Sequence, residues 1–327
     1  MAELRKNPLT REWVIVAAAP PALGDSTKPC PYCPGNEALS APELLSYRDP
    51  KTAPDSAGWR VRVVANAASY FQGEGDLGRR DERIYDTMCT VGGDEIVVES
   101  PAHDEAALIS DPLQSEDALW ACRERYSYWS ACPSVKSVIL ARRHPPRHPG
   151  HPHWRLLALP VVPQALWELA KGMEQYYDYR ARCGVCHIVQ AEAQDGGRIV
   201  AQNRHFLAIT PYFAKDPYEL WIAPRRHHGT LADAHRHEMQ NLAEILAQSL
   251  AALRHALHDP CLVVTFMCAP CNVEGLEHFH WFARVLPTVA APDRAAVEYG
   301  ISVNHVAPEA AAAQLRRAMP AIISRKS

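Results

Sequence analysis

No apolar run of about 18 residues, the length a membrane-crossing helix needs, occurs anywhere in the 327 residues. The opening residues, Met1-Ala-Glu-Leu-Arg-Lys-Asn7, lack the apolar core of a secretory leader. A membrane partner is therefore not expected, and a cytoplasmic location is. Net charge is nearly absent as well: −3 supplies no overall attraction to nucleic acid, and no nucleic-acid partner is expected. Disorder is excluded by the opposite observation, an apolar content of 47% that supports a sizeable core. The length suits about two domains of ordinary size.

Cysteine is not scarce. Of ten, four fall in two Cys-x2-Cys pairs, Cys30/Cys33 and Cys183/Cys186, a spacing that in a reducing compartment points to zinc before disulfides. Cys89, Cys122, Cys132 and Cys261 stand alone, and buried packing is their expected role. A third pair, Cys268-Ala-Pro-Cys271, has no histidines left over at a suitable spacing and reads as a loop with two thiols.

Along the chain, Trp13–Val16 reads as a strand, followed by the tight knuckle Pro29-Cys-Pro-Tyr-Cys-Pro-Gly-Asn36. Trp59–Asn66 and Asp94–Pro101 read as strands, the second delivering His103; residues 115–130 have helical spacing, and Val135–Ala141 is a further strand. The proline-rich segment Arg142-Arg-His-Pro-Pro-Arg-His-Pro-Gly150 cannot be a helix. It feeds into Gly150-His-Pro-His-Trp-Arg155, whose two histidines, one residue apart, share a face if the segment is a strand. One can then bind a metal while the other offers an imidazole to a substrate. A long helix from Pro163 to Arg182 completes this half.

The order then repeats. Cys183-Gly-Val-Cys186 is a second knuckle; strands at Arg198–Ala201, Phe206–Thr210 and Glu219–Pro224 lead to Arg225-Arg-His-His228. Asp233–Leu257 is an amphipathic helix; Cys261–Met267 and His278–Leu286 read as paired strands, and His278-Phe-His280 echoes His151-Pro-His153. A helix follows Pro308. The chain thus divides into halves 1–165 and 166–327, each with a Cys2His2 set: Cys30, Cys33, His103 and His151, then Cys183, Cys186, His227 and His280. Each set suffices for a closed tetrahedral zinc site, so two zinc ions per chain are expected. In the second set His228 or His278 could replace His227 or His280.

Asn7-Pro-Leu-Thr-Arg-Glu-Trp-Val-Ile-Val16, Cys30-Pro-Tyr-Cys-Pro-Gly-Asn-Glu37, Arg62-Val-Val-Ala-Asn66, Glu99-Ser-Pro-Ala-His103 and His151-Pro-His153 together resemble the galactose-1-phosphate uridylyltransferase family over nearly the whole chain. The second half looks like the histidine-triad module that the family contains twice, and His280-Trp-Phe-Ala-Arg-Val-Leu-Pro287 is most similar to the branch with zinc in both halves, which includes ADP-glucose phosphorylase-like proteins. The resemblance implies an α+β fold, a duplicated histidine-triad-like architecture of two antiparallel-sheet halves with packed helices. It also implies nucleotidyl transfer from a sugar nucleotide through a covalent adduct on His153, with His151 on zinc, a base and ribose near Val64, Asn66 and Val98, and a homodimer.

Two features depart from the family. Where it has a small-residue loop, this chain has the 142–150 segment; where it has a glutamine two residues past the nucleophile, this chain has Arg155, with Trp154 between. One reading gives phosphate binding to Arg142, Arg143, Arg147 and Arg155, since guanidinium forks match phosphate oxygens, with Trp154 shaping the acceptor pocket. The others are a member repurposed for hydrolysis, elimination or rearrangement of another metabolite, and a non-catalytic nucleotide-binding protein. In the second half, Phe282 and Cys268 stand where the metal-binding branch keeps histidines.

Overall fold

Fourteen strands and five α-helices are formed by the residues that the computed structural model describes, 2–19, 29–103, 112–144, 150–289 and 301–319. In chain order these are β1 (Glu3–Lys6), β2 (Trp13–Val16), β3 (Glu43–Arg48), β4 (Trp59–Ala65), β5 (Arg80–Glu82), β6 (Tyr85–Cys89), β7 (Gly93–Val98), α1 (Pro112–Ser130), β8 (Ser137–His144) and β9 (His153–Leu159). Then come α2 (Gln164–Arg180), α3 (Gly184–Asp195), β10 (Ile199–Gln202), β11 (Phe206–Ile209), β12 (Leu220–Pro224), α4 (Arg236–Ala256), β13 (Cys261–Met267), β14 (Phe282–Thr288) and α5 (Pro308–Ala318). The α+β expectation holds.

Ten strands form one antiparallel sheet in the order β10-β11-β12-β14-β13-β8-β9-β7-β4-β3, and β2-β1-β6-β5 form a smaller one. The halves meet where β8 pairs with β13, with Ala141 opposite Thr265. Outward from that seam the sequence β8-β9-β7 on one side answers β13-β14-β12 on the other.

Alternation sets the two faces of the large sheet. In β9, Trp154, Leu156 and Ala158 are buried while His153, Arg155 and Leu157 are less so, as a period of two requires. The buried set joins Val61, Val63, Leu140, Val264 and Val285 in one core under α1 and α4. The apolar residues of α4 recur at three- and four-residue spacing (Met239, Leu242, Ile245, Leu246, Leu250, Leu253), and all are buried. On the opposite face, α2 and α3 cover Leu207, Ile209, Trp221 and Phe282 in the second half, and Tyr32 packs against Trp59, Val64, Ile96 and Val98 in the first. The entry to β7 depends on glycine: Gly92 has φ +140°, and a Cβ there would collide with the carbonyl oxygen of Ala158.

Two expectations are corrected and one helix is added. β8 runs on through Arg142, Arg143 and His144 because these residues pair with β13, and residues 142 to 144 are therefore strand, not loop. Helix α3 starts directly at the second knuckle, where the Cys183 sulfur accepts the backbone N–H of Cys186 as an N-cap. β14 begins at Phe282, so His278 and His280 precede it on irregular backbone.

Candidate active site and metal centres

Pro152 cannot extend a ladder at its own N–H, so β9 starts at His153 and leaves His151 at a corner beneath the first knuckle. There the Cys33 sulfur lies 3.2 Å from His103 Nδ1 and 3.7 Å from His151 Nδ1, and the Cys30 sulfur 3.9 Å from His151 Nδ1. All four donor atoms lie within 4.8 Å of one another. His151 Nε2 sits 2.6 Å from the Ser100 carbonyl, which places the proton on Nε2 and turns the Nδ1 lone pair toward the sulfurs. Burial holds the His151 imidazole down to about 4, aided by His103 and His153, so it is neutral near pH 7, the form that ligates a metal.

The second centre repeats this plan. Cys186 sulfur lies 3.4 Å from His227 Nδ1 and 3.2 Å from His280 Nδ1, and Cys183 sulfur 3.8 Å from His280 Nδ1. Each imidazole turns Nε2 to a backbone carbonyl, His227 to Glu277 at 2.9 Å and His280 to Pro224 at 3.0 Å. The ring pairs match too: His103 and His151 are 5.3 Å apart at 85°, His227 and His280 5.1 Å apart at 84°. A hydrogen bond from the Cys186 thiol draws Cys183 toward the thiolate. Of the histidines that sequence left open, His227 and His280 converge on the sulfurs, whereas His228 is turned to the Trp281 indole N–H and His278 to the Ala170 carbonyl. A third trio, His205, His237 and Glu238, also converges, but both Glu238 oxygens are already held by Arg226 at 2.9 and 2.8 Å.

His153 lies on the sheet face away from α1 and α4, which α2 and α3 cover only in the second half, with Tyr32 5.9 Å away, ring to ring. Its Nδ1 is 2.8 Å from the His151 carbonyl oxygen, so Nδ1 carries the proton and the lone pair resides on Nε2. Arg155 shares that face. It forms a bidentate pair with Asp94, Nε to Oδ1 at 2.9 Å and Nη2 to Oδ2 at 2.7 Å, which raises the guanidinium above its ordinary value. Asn66 completes the support, giving its side-chain N–H to Asp94 Oδ2 at 3.0 Å while its side-chain oxygen accepts Ala68 N–H at 3.0 Å. Asn66 therefore holds the carboxylate that holds Arg155.

The arginines divide by strand face. Arg143 is exposed and sits one position beyond the Arg142–Trp154 pair, next to His153. Arg142 points the other way: it is buried, paired with Glu99 and in contact with His144, beside a cavity of about 50 Å³ that Trp154, Leu119 and Leu246 also line. Trp154 likewise packs edge-on against Phe266, 5.5 Å between ring centres, in the core under α1 and α4. Neither Arg142 nor Trp154 is on the face of His153, because period two sends neighbours of a strand residue to the opposite side. Arg147 lies outside the described residues. Trp154→Ala is expected to cost about 3–5 kcal/mol in a urea titration, and Trp154→Phe to leave substrate KM unchanged. A raised KM with unaltered stability would return Trp154 to the substrate pocket.

Sequence reading missed Asp94 and Tyr32. Asp94 carried a usable signal: a carboxylate just ahead of the apolar run Ile96-Val97-Val98 must find a cation or a set of donors once that strand is buried.

The family profile described as galactose-1-phosphate uridyl transferase, C-terminal domain, matches residues 171–283. The galactose-1-phosphate uridylyltransferase of Thermotoga maritima is 30% identical, covering 97% of this chain and 98% of the relative. The ADP-glucose phosphorylase of Arabidopsis thaliana is 26% identical, covering 96% and 92%. The crystal structure of an Arabidopsis ADP-glucose phosphorylase with bound ADP-glucose superposes with a TM-score of 0.75 at 25% identity, covering 97% of this chain and 98% of that one. A uridylyltransferase structure reaches 0.82 at 24% identity, covering 98% and 99%.

Proposed function

Because the chain belongs to the galactose-1-phosphate uridylyltransferase family, we propose that it is a nucleotidyltransferase or phosphorylase acting on a sugar nucleotide through a nucleotidyl-histidine. The observation that carries this reading is the set of His153, its His151 carbonyl partner and the cations Arg143 and Arg155 on one open face.

In the first step Nε2 of His153 attacks the α-phosphorus in line; the Nε2–P bond forms and the bond to the departing sugar 1-phosphate oxygen breaks. The ring becomes a cation, and the His151 carbonyl stabilises it through the Nδ1 proton. In the second step an oxygen of an incoming phosphate or sugar phosphate attacks the same phosphorus and His153 departs neutral. Arg143, together with Arg147 and the outer edge of Arg155, offsets charge on the phosphoryl oxygens.

The two Cys2His2 sets suit zinc: two soft thiolates and two imidazoles turned Nδ1-inward form a closed set with no position left for a reactant. Zinc at Cys30, Cys33, His103 and His151 would act as a crosslink that fixes the corner from which His153 projects, and zinc at Cys183, Cys186, His227 and His280 would do the same for the second half. The same reading divides the chain into halves 1–165 and 166–327 and takes the protein as a cytoplasmic homodimer. Among the described residues no helix is long and apolar enough to cross a membrane. Sedimentation velocity tests the dimer.

The direct test is intact and peptide mass spectrometry after incubation with UDP- and ADP-sugars. A nucleotidyl adduct on His153, labile to acid and stable to alkali, is expected. Its absence with every nucleotide tried, in folded and metal-loaded protein, would remove the transfer reading in favour of other chemistry or plain binding. Asp94→Asn is expected to lower turnover by up to about 100-fold by releasing Arg155. It is also expected to lose about 1–3 kcal/mol of stability, toward the low end because the Arg155 side chain is 44% exposed and screened by water. Unchanged kinetics would show Arg155 to be structural only.

A further inference from the structure

One rung of the large sheet crosses the seam between the halves: Ile96, Arg155, Ala141, Thr265, Arg284 and Trp221 lie directly opposite one another in turn. Directly opposed residues of antiparallel strands project to the same side, so Arg284 and Thr265 share the face of His153 and Arg155, with Arg284 at the border of the part that α2 and α3 cover, where Trp221 and Phe282 are buried. The rung is nearly symmetric about the Ala141–Thr265 pair, with an arginine at equal distance on either side.

The two arginines are treated differently. Arg155 Nε donates to Asp94 Oδ1. The position answering Asp94 in the second half, two residues before the one opposite the arginine, is Glu219. Its carboxylate is turned away, one oxygen accepting the Trp221 indole N–H at 2.9 Å and the other the Lys215 backbone N–H at 2.9 Å. Arg284 Nε is shut off from solvent and has no hydrogen-bond partner among the described residues. A guanidinium N–H withdrawn from water and left unpaired is unfavourable, and an oxyanion is the chemistry that matches it. Ala141 brings only a methyl group to the seam, and Thr265, directly opposite Arg284 on the adjacent strand, brings a hydroxyl.

We propose that Arg284 and Thr265 form an oxyanion subsite on the face that His153 occupies, across the seam from it and beside the part covered by α2 and α3, that takes a phosphate group. Three strand spacings and two residues along the strand put the Cα atoms of Arg284 and His153 roughly 16 Å apart. The long arginine and the imidazole narrow this to the span of a phosphorylated sugar or nucleoside diphosphate. The subsite rests on the nucleotidyl-transfer reading only for that choice of ligand, since phosphate binding needs no transfer.

The test is isothermal titration of inorganic phosphate into metal-loaded His153→Ala protein, with and without Arg284→Gln. The second change is expected to raise the Kd for phosphate at least tenfold, Arg284→Lys to give an intermediate value, and Thr265→Val a rise of several fold. If Arg284→Gln is poorly folded, Thr265→Val, which keeps the strand's shape, decides alone. Equal phosphate affinity in all variants would overturn the proposal. So would a dimer that dissociates in Arg284→Gln with phosphate binding unaltered, because the guanidinium would then serve a partner's carboxylate. Displacement of phosphate by a sugar nucleotide would identify the oxyanion as part of the substrate, and failure to displace it would identify free phosphate; both outcomes support the subsite. Loss of the adduct on His153 with phosphate binding at Arg284 intact would sink the transfer reading and spare this one.

Discussion

Replacing His153 by alanine is expected to reduce turnover by on the order of 10⁴-fold or more, with the fold and metal content unchanged. The reasoning begins with the hydrogen bond from Nδ1 to the His151 carbonyl at 2.8 Å. That bond fixes the tautomer, aims the ring and supports the positive charge that develops once Nε2 is bonded to phosphorus. Alanine removes the attacking atom, and a covalent route split into two displacements has no substitute for it. The loss should appear in kcat, with little change in the affinity for the sugar nucleotide, because Arg143, Arg155 and the Arg284 rung are left in place. Initial rates with UDP- and ADP-sugars, together with equilibrium dialysis, separate the two. A His153→Gly protein should recover part of its activity with added imidazole, whose ring fits the vacated space. Rates within tenfold of the unaltered protein in His153→Ala would exclude the nucleophile assignment. Activity that persists without any adduct would point to hydrolysis or rearrangement on the same scaffold.

Cys30→Ser and Cys183→Ser are each expected to lower the zinc content from about two per chain to about one, measured by inductively coupled plasma mass spectrometry. Structural zinc contributes on the order of 10 kcal/mol in small domains that fold around it. Here each knuckle is also anchored by packing, Tyr32 against the first half's open face and Cys183 and Val185 against Leu207 and Trp221 in the second. A drop of several kcal/mol is therefore expected, read as a lower urea midpoint. The two variants should differ in activity. Cys30 faces the imidazole of His151, two residues from His153 on the same chain segment, so loss of the first metal lets the attacking ring drift. Cys183 serves the second half, where Phe282 occupies the position that answers His153, so its loss should reduce stability more than turnover. Equal zinc content in Cys30→Ser and the unaltered protein would remove the first assignment. Two zinc ions in Cys183→Ser would remove the second.

Much of this site is legible in one dimension. The Cys-x2-Cys pairs and the histidines that follow strands announce the metal sets because few side chains bind zinc and each recurs at the same place in the repeat. Alternation in Trp59–Ala65 and His153–Leu159, and the apolar stripe of Arg236–Ala256, give strands and helix from spacing alone. The short strands Glu3–Lys6, Arg80–Glu82 and Tyr85–Cys89 could not be read, because most of their residues are polar and their pairing depends on distant partners. Helix α3 was hidden by the knuckle it grows from.

Sequence by itself determined which residues could bind metal and which histidine could attack, but it put Arg142 and Trp154 at the substrate together with His153 and Arg155. Only the tertiary structure decided what each face meets. Helices α1 and α4 lie over the Trp154 side, so Arg142 and Trp154 became core residues, and the opposite side was left to His153, Arg143 and Arg155. It also chose His227 and His280 over their neighbours, since only the path of the backbone around Trp281 turns His228 away from the sulfurs. Spacing along a strand fixes relative orientation, but absolute orientation belongs to whatever packs against the sheet, and those contacts come from residues a hundred positions away.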